Sequence, residues 1–380
     1  MKFNWQNAAT RSIVFQAILI TSILLVCYYF FDNALYNLEQ QGIASGFRFL
    51  RNPAGFDIIM HLIDYSEGST YFRAFLVGLL NTLLISFLGI IIATIVGFIV
   101  ALARLSSNWL IQKLATIYIE TFRNLPLLLQ IFFWYFAVLR TLPSPRQSYQ
   151  LGDAVFLNIR GLYFPRFITT EAFGIFLTGA FVILFIIIAQ SLYMHHRKKM
   201  LGKAPLPTYP YWIVLLVYLM IFVFAYPPLT FEMPVLRGFN FQGGIVIIPE
   251  LAALLLALSI YTASFIAEII RAGILSVSKG QTEAAKALGL KKKQILRLII
   301  IPQALRVIIP PLTSQYLNLT KNSSLASAIA YPELVSVFAG TVLNQTGQAI
   351  EVIGITMAVY LAISLIISLF INWYNHRMKL

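Results

Sequence analysis

The stretch QTEAAKALGLKKKQILRLIIIPQALRVIIPP, residues 281–311, is the basic centre of an otherwise apolar chain. The longer segment 271–306, which we call the coupling segment, carries eight of the chain's Lys and Arg residues. Its pattern predicts a short helix over residues 279–288 and a second, basic helix from Lys291 to Ile301. Because proline lacks the N–H that a helix interior needs, we expect breaks at the prolines that follow, Pro302, Pro310 and Pro311.

Both ends of the short helix carry recognisable signals. Ser278 and Gln281 have the spacing of a capping box at its start. Gly289 is placed to end it in the left-handed conformation, and Leu290 follows to close the cap with an apolar contact. The sequence therefore predicts two short helices that meet at an angle.

The short helix presents small and apolar side chains to its surroundings. Ala284, Ala285 and Leu288 would allow another protein to approach closely, and Glu283 could pair with a basic group of that protein. The alternative is an amphipathic element that rests on lipid headgroups, which Lys and Arg also favour. The residues alone leave both interpretations open.

Composition identifies the class of protein. The chain has 380 residues, of which 59% are hydrophobic and 11% charged, whereas soluble domains carry about 25% charged residues. We therefore predict an all-α integral membrane protein. Its single cysteine, Cys27, allows neither an internal disulfide nor a cysteine metal cluster, and we expect no metal site.

Apolar runs divide the chain into about eight predicted spans, each near the ~20 residues that cross a bilayer. They cover residues 13–31, 74–103, 114–139, 171–193, 211–228, 248–270, 304–326 and 352–373. With both termini in the cytoplasm, inner segments and helix ends carry twenty of the 28 Lys and Arg residues and outer segments carry eight. This positive-inside bias favours that orientation, and it assigns the net charge of +14 to the membrane surface rather than to nucleic acid. The first span is predicted to be an uncleaved anchor, with a signal peptide as the alternative.

The third and sixth spans contain charged pairs three residues apart, on one helix face. The pairs are Glu120 with Arg123 and Glu268 with Arg271, and we predict that each forms an ion pair near the inner interface. In the third span Asn124 and Gln130 add polar groups around Pro126. This polar face either is structural or lines a substrate pathway.

The seventh span is the most polar of the eight. Such a load is tolerated only where the side chains face protein or a water-filled cavity. The residues suit a zwitterion's ammonium and carboxylate, so they are candidates for a substrate pathway, although bonding between helices is the alternative. The candidates are Gln315, Asn318, Lys321, Asn322, Ser323 and Ser324.

Motifs of catalysis and nucleotide binding are absent from the sequence. It has no G-x-x-x-x-G-K-[ST] phosphate loop, no H-E-x-x-H and no nucleophile elbow. An enzyme with its own active site is therefore disfavoured, and active transport would draw its energy from a partner or an ion gradient. An ion-coupled secondary transporter or channel using Glu120, Glu268 or Lys321 remains the alternative function, and a membrane scaffold is a third.

The segment EAAKALGLKKKQILRLIIIP resembles the EAA loop of ABC-importer permease subunits, whose pattern is E-A-A, three residues, G, nine residues, I-x-L-P. Most pattern positions match in register, and Ile301 stands where leucine is usual. ETFRNLPLLLQIF, YTASFIAEIIRAGI and PPLTSQYLNLTKNSSLASAI resemble the polar amino-acid branch of this family, and SGFRFLRNPAGFDI resembles its general L-amino-acid permeases. The matching residues of the loop are Glu283, Ala284, Ala285, Gly289, Ile299 and Pro302.

The resemblance implies a type I importer core divided by an insertion. The expected parts are an anchor and outer loop (1–73), a first core part (74–139), the insertion with two extra spans (140–246) and a second core part (247–380). The coupling segment would dock on a cytoplasmic ABC ATPase dimer, which holds the ATP and Mg²⁺ while this chain binds no cofactor. The residues implied in this coupling are Glu283, Ala284, Ala285, Lys286, Leu288 and Gly289.

The same resemblance implies the other partners and the location. A second homologous permease would complete the pathway, a periplasmic binding protein would deliver polar L-amino acids, and uptake would proceed by alternating access. The chain would lie in a bacterial inner membrane as a multi-pass protein in contact with lipid.

Overall fold

The structure is a computed structural model that describes residues 8–40, 46–201, 209–224 and 229–378. The chain divides into two compact units. One comprises Met1–Tyr135 and Ala253–Leu380, and the other comprises Phe136–Ala252.

Helices form most of the first unit. Five segments that lie in or begin in this unit wind as π or 3₁₀ rather than α-helix. Phe133–Val138, Leu296–Ile300 and Val335–Val342 are π-helical, and Phe47–Arg51 and Ser323–Ile329 are 3₁₀. The α-helices are α1 (Ala8–Gln40), α2 (Tyr71–Arg104), α3 (Trp109–Asn124), α4 (Leu127–Phe132), α7 (Pro249–Leu275, which begins in the second unit), α8 (Lys279–Ala287), α9 (Lys292–Ile295), α10 (Ile301–Asn322), α11 (Leu343–Thr346) and α12 (Ala349–Met378).

Glycines on α2 let it touch its neighbours closely, as small residues in a span allow. A Cβ on Gly78 would lie 3.1 Å from Leu334 Cα, and one on Gly89 would lie 3.2 Å from the Leu319 side chain on α10. A Cβ on Gly97 would lie 2.7 Å from Ile266 Cγ2 on α7. One helix therefore packs against three others along its length.

The predicted spans are largely confirmed. In the described part of the chain, six helices are long and apolar enough to cross a membrane, and a bent pair can supply a seventh. A shorter apolar helix, Trp212–Phe222, occupies the position predicted for the fifth span.

The third span differs from the prediction of one helix over 114–139. α3 ends at Asn124, α4 begins at Leu127, and the bent pair turns by 106° between them. Leu125 is extended, with φ −88° and ψ 132°. Pro126 explains the break, because it disfavours helical backbone in the residue before it.

The seventh span also differs, in the opposite sense. The breaks expected at the prolines do not occur. The helical stretch runs unbroken from Lys292 to Ile329. Pro302 lies in the first turn of α10, directly after the π-helical turn, and Pro310 and Pro311 lie inside α10. A wider turn and the first helical turn both tolerate a missing N–H.

The second unit combines short strands with the helices α5 (Ala172–Leu201) and α6 (Tyr209–Phe224). Tyr218 joins the two helices by donating its hydroxyl to the carbonyls of Ile175 and Phe176. The strands, which the sequence analysis did not predict, are β1 (Tyr149–Leu151), β2 (Val155–Asn158), β3 (Gly161–Phe164), β4 (Arg166–Thr169), β5 (Leu229–Glu232), β6 (Val235–Arg237), β7 (Asn240–Gln242) and β8 (Ile245–Ile247).

These strands form three small antiparallel sheets, in the orders β1–β2–β3–β8, β4–β5 and β6–β7. Aromatic side chains hold them together. The Phe241 ring lies 4.5 Å from that of Phe156 and 5.1 Å from that of Tyr163, measured between centroids. Aromatic pairs of this kind add to burial energy, so the sheet β1–β2–β3–β8 and the sheet β6–β7 pack against each other.

We predict that Gly97→Ala lowers the melting temperature of the purified chain, whereas Gly354→Ala leaves it unchanged or raises it. The added methyl at position 97 has no room beside Ile266, and overpacking costs about 1–3 kcal/mol. At Gly354, also helical, nothing lies within 4 Å of the new atom, so the higher helix propensity of alanine acts alone. Equal melting temperatures for both variants would contradict the close α2–α7 packing.

Candidate functional site

The turn after α8 has the predicted geometry. Gly289 adopts φ 75°, and its N–H donates to Lys286 O at 2.9 Å. The N–H of Leu290 donates to Ala285 O at 3.2 Å, which completes a Schellman motif. The predicted glycine stop and its cap are therefore confirmed.

Two details of the short helix differ from the prediction. Ser278 is the N-cap residue, but its side chain makes no capping hydrogen bond, so the predicted capping box is wrong. Ala285 was expected to face a partner, but it is only 3% exposed and lies buried in the chain. The i, i+3 and i+4 geometry of the helix turns this residue inward while its neighbours point outward.

The outward face of α8 consists of other residues. Leu288 is 80% exposed, although it is a large apolar side chain. Exposed with it are Glu283, Ala284, Lys286 and Gly289. The helix thus presents one apolar side chain surrounded by charge and small residues.

α10 carries its polar residues on an exposed face. Ser314, Asn318 and Lys321 are exposed and lie three and four residues apart, so they share one side of the helix. We call these three residues the polar face of α10. On the other side Leu319 and Thr320 are buried, and Leu319 contacts α2. The remaining predicted residues of this span lie between these extremes: Gln315, Asn322 and Ser324 are half-buried, and Ser323 is buried.

The two polar residues predicted around Pro126, Asn124 and Gln130, lie in different environments. Gln130 is buried, and its Nε2 donates to the carbonyls of Phe122 and Leu125 at 3.1 and 3.0 Å. These bonds satisfy carbonyls that the break at Pro126 leaves free, so Gln130 stabilises the bend. Asn124 is exposed, and its Nδ2 donates to Glu120 O at 2.7 Å.

One of the two predicted ion pairs is present. Arg271 Nε lies 3.0 Å from Glu268 Oε2, which makes this pair bidentate together with the Nη2–Oε1 contact. Glu120 and Arg123 form no ion pair in the described residues. The Arg123 guanidinium instead lies 5.2 Å from the centroid of the Phe265 ring on α7, a cation–π distance that competes with an exposed ion pair.

Glu333, which is fully buried, was not among the residues predicted from the sequence. It lies in the connection between the spans that end at Ile329 and begin at Ala349. Burial raises the pKa of this carboxyl to about 7, against the lowering effect of its hydrogen bonds to Val335 and Ser336. Pro332 and Glu333 before an apolar run are a helix-start signal that the sequence did offer.

We predict that Gly289→Ala increases amide hydrogen exchange in α8, whereas Gly280→Ala does not. Neither glycine has an atom within 4 Å of the added methyl, but only Gly289 has positive φ. A left-handed alanine costs about 1–2 kcal/mol, which destabilises the Schellman turn. Exchange measured by mass spectrometry on both purified variants tests this, and equal protection of α8 in the two would refute it.

Comparison with known proteins identifies the family. The model of the family described as "Binding-protein-dependent transport system inner membrane component" matches residues 206–380. The chain is 54% identical to the putative amino-acid ABC transporter permease protein YhdX of Escherichia coli, over 99% of this chain and 96% of that protein. It is 52% identical to the general L-amino acid transport system permease protein AapQ of Rhizobium johnstonii, over 97% and 92%. It is 40% identical to the glutamate/glutamine/aspartate/asparagine transport system permease protein BztB of Rhodobacter capsulatus, over 97% and 94%. The chain therefore belongs to the family of binding-protein-dependent transport system inner membrane components, with these amino-acid ABC transporter permeases.

Proposed function

We propose that the chain is the permease subunit of an ATP-binding-cassette importer that takes up polar L-amino acids by alternating access. The observation that carries this proposal is the polar face of α10, which is exposed although α10 belongs to the candidate span Lys292–Ile329. The names of the relatives AapQ and BztB support amino acids as the substrate class.

Lipid chains cannot solvate the polar side chains of this face. A charged side chain such as Lys321 costs at least about 2.5 kcal/mol at the centre of a bilayer unless it is paired or hydrated. A water-filled pathway bounded by a second, homologous permease removes that cost. Within this pathway Lys321 suits a substrate carboxylate, and Ser314 and Asn318 suit polar groups of a zwitterion. The half-buried Gln315, Asn322 and Ser324 border the same passage.

The exposed face of α8 is the surface that we assign to the cytoplasmic ATPase dimer. Leu288 has the exposure of a side chain that inserts into a partner's cleft, and Glu283 and Lys286 can pair with charges at its rim. Ala285 acts from inside, by holding α8 against the chain. ATP and Mg²⁺ bind the ATPase, and a periplasmic binding protein delivers the amino acid. Both termini lie in the cytoplasm, and the outer surfaces of the spans contact lipid.

Charge reversal on α8 is expected to reduce transport strongly. In vesicles that contain this chain with its partner permease, ATPase and binding protein, Glu283→Lys should reduce ATP-driven uptake of glutamate or glutamine by about tenfold or more, since interface hot spots contribute about 2 kcal/mol or more. ATPase retained by the tagged permease should fall in parallel, while the amount of permease in the membrane stays constant.

The matched control is Lys113→Glu on α3, which reverses an exposed charge outside α8. It should transport normally. Normal uptake by Glu283→Lys would contradict the docking role of α8. Gradient-driven uptake by this chain alone, without an ATPase, would instead favour the secondary transporter.

Water at the polar face can be measured with thiol chemistry. In a Cys27→Ser background, cysteine placed at Asn318 or Lys321 in the assembled transporter should react with a membrane-impermeant maleimide about tenfold faster than one at Leu361, because the reactive thiolate requires water to ionise. Leu361 is a suitable control, since it is 60% exposed on another candidate span, α12. Equal, slow labelling at all three sites would contradict a hydrated pathway.

A further inference from the structure

The chain turns sharply after the 3₁₀ segment Ser323–Ile329, and Glu333 lies at the centre of this turn. We call residues 330–336 the Glu333 corner. Its first residue, Ala330, has φ 58°, the only left-handed non-glycine backbone in the described residues. A non-glycine residue in this region persists when the surrounding structure imposes it, so the contacts of the corner must be strong.

The Glu333 carboxylate makes three of these contacts. Oε2 accepts from Val335 N at 2.8 Å and from the Tyr360 hydroxyl at 3.1 Å, and Oε1 accepts from Ser336 N at 2.7 Å. The first and third bonds cap the π-helical segment Val335–Val342, and the second reaches across to α12. A carboxylate without exposure is retained in such a place because hydrogen bonds replace its water.

α2 also holds the corner. Asn81 Nδ2 donates to Pro332 O at 2.8 Å, and Thr82 Oγ1 accepts from Leu334 N at 3.0 Å. The Tyr331 hydroxyl donates to Asn81 O at 3.3 Å. The residues on both sides of Glu333 are thus fastened to α2, while Glu333 itself is fastened to α12.

The corner is continuous with the candidate pathway. It follows directly on the helical stretch Lys292–Ile329, which contains the polar face of α10. Only Asn322 and the seven-residue 3₁₀ segment Ser323–Ile329 separate Lys321 from the corner. Whatever fixes the corner therefore fixes the outer end of this stretch.

We propose that Glu333 is a positioning residue for transport: its ionised carboxylate holds the corner between α2 and α12, and so keeps the polar face of α10 in its working orientation. This inference rests on the proposed function, because the polar face has a working orientation only if it lines the pathway.

The chemistry predicts a response to pH. Protonation replaces one acceptor oxygen by a hydroxyl, which cannot accept the same bonds from N–H groups. The titratable groups that face the carboxyl are Tyr360 on α12 and Tyr331 in its own segment, whereas α2 presents the neutral Asn81 and Thr82. Within the described residues no Lys, Arg, His or second acid contributes to the pKa of Glu333. Glu333 is therefore the titrating group of this corner near neutral pH.

The experiment measures ATP-driven uptake against pH in vesicles that hold the complete transporter. For the wild type we expect the maximal rate to fall as the pH drops through about 7. Glu333→Gln, whose amide imitates the protonated acid, should be slower by about tenfold above that pH and should lack the inflection, because bonds to a charged acceptor are lost. Tyr360→Phe removes one bond that favours the charged form, so its inflection should move to higher pH.

The control is Thr356→Val, which removes another buried hydroxyl from α12. Its Oγ1 bonds only to Val352 O within the helix, so the wild-type inflection should be kept. Because the control complex contains the same ATPase and binding protein, its profile also shows any pH dependence that these two subunits contribute.

The following results would contradict the positioning role of Glu333 or the proposed function. An unchanged profile in Glu333→Gln, or an unmoved inflection in Tyr360→Phe, would overturn the positioning role. If Glu333→Gln fails to assemble, Tyr360→Phe still decides. A wild-type complex without ATP-driven uptake at any pH would instead overturn the proposed function.

Discussion

Close contact between helices without side chains in the way is the constraint on which the rest of the structure depends. In a bilayer, apolar surface gains little by leaving lipid, so spans associate through tight packing and hydrogen bonds. α2 meets this requirement with Gly78, Gly89 and Gly97, each against a different neighbour. Only because α2 lies this near to Leu334 can Asn81 and Thr82 reach the backbone of the Glu333 corner. Packing and polar satisfaction are therefore two consequences of one arrangement.

The polar groups of the first unit divide into two kinds. Several of those that face the protein bond to nearby backbone: Gln130 Nε2 bonds to carbonyls freed by the bend at Pro126, and Glu333 caps a helix. Those on the polar face of α10 are exposed, and the hydrocarbon of a membrane offers them no substitute. The first kind explains how irregular backbone survives in this unit. The second requires a surface outside the chain.

Sequence reasoning succeeded where a signal is local. Gly289 and Leu290 define a Schellman turn by their positions alone, and apolar runs located the spans. It failed where the outcome depends on distant partners. The burial of Ala285 depends on how α8 packs. The Arg123 guanidinium lies over the ring of Phe265 rather than beside Glu120. One of the hydrogen bonds of Glu333 comes from Tyr360, which is distant in sequence. The strands of the second unit are only three or four residues long, too short for a periodic signal.

The third and seventh spans deviate from the expected helices in opposite ways. At Pro126 the backbone breaks and turns, and two hydrogen bonds from Gln130 hold the bend. Between Lys292 and Ile329 the helical path of the backbone continues past three prolines, although each proline removes one donor from the hydrogen-bond ladder. A continuous helix transmits displacement along its axis because stretching it would break many backbone hydrogen bonds together. One helical stretch therefore leads from the end of the turn after α8 to the Glu333 corner, with the polar face of α10 between them.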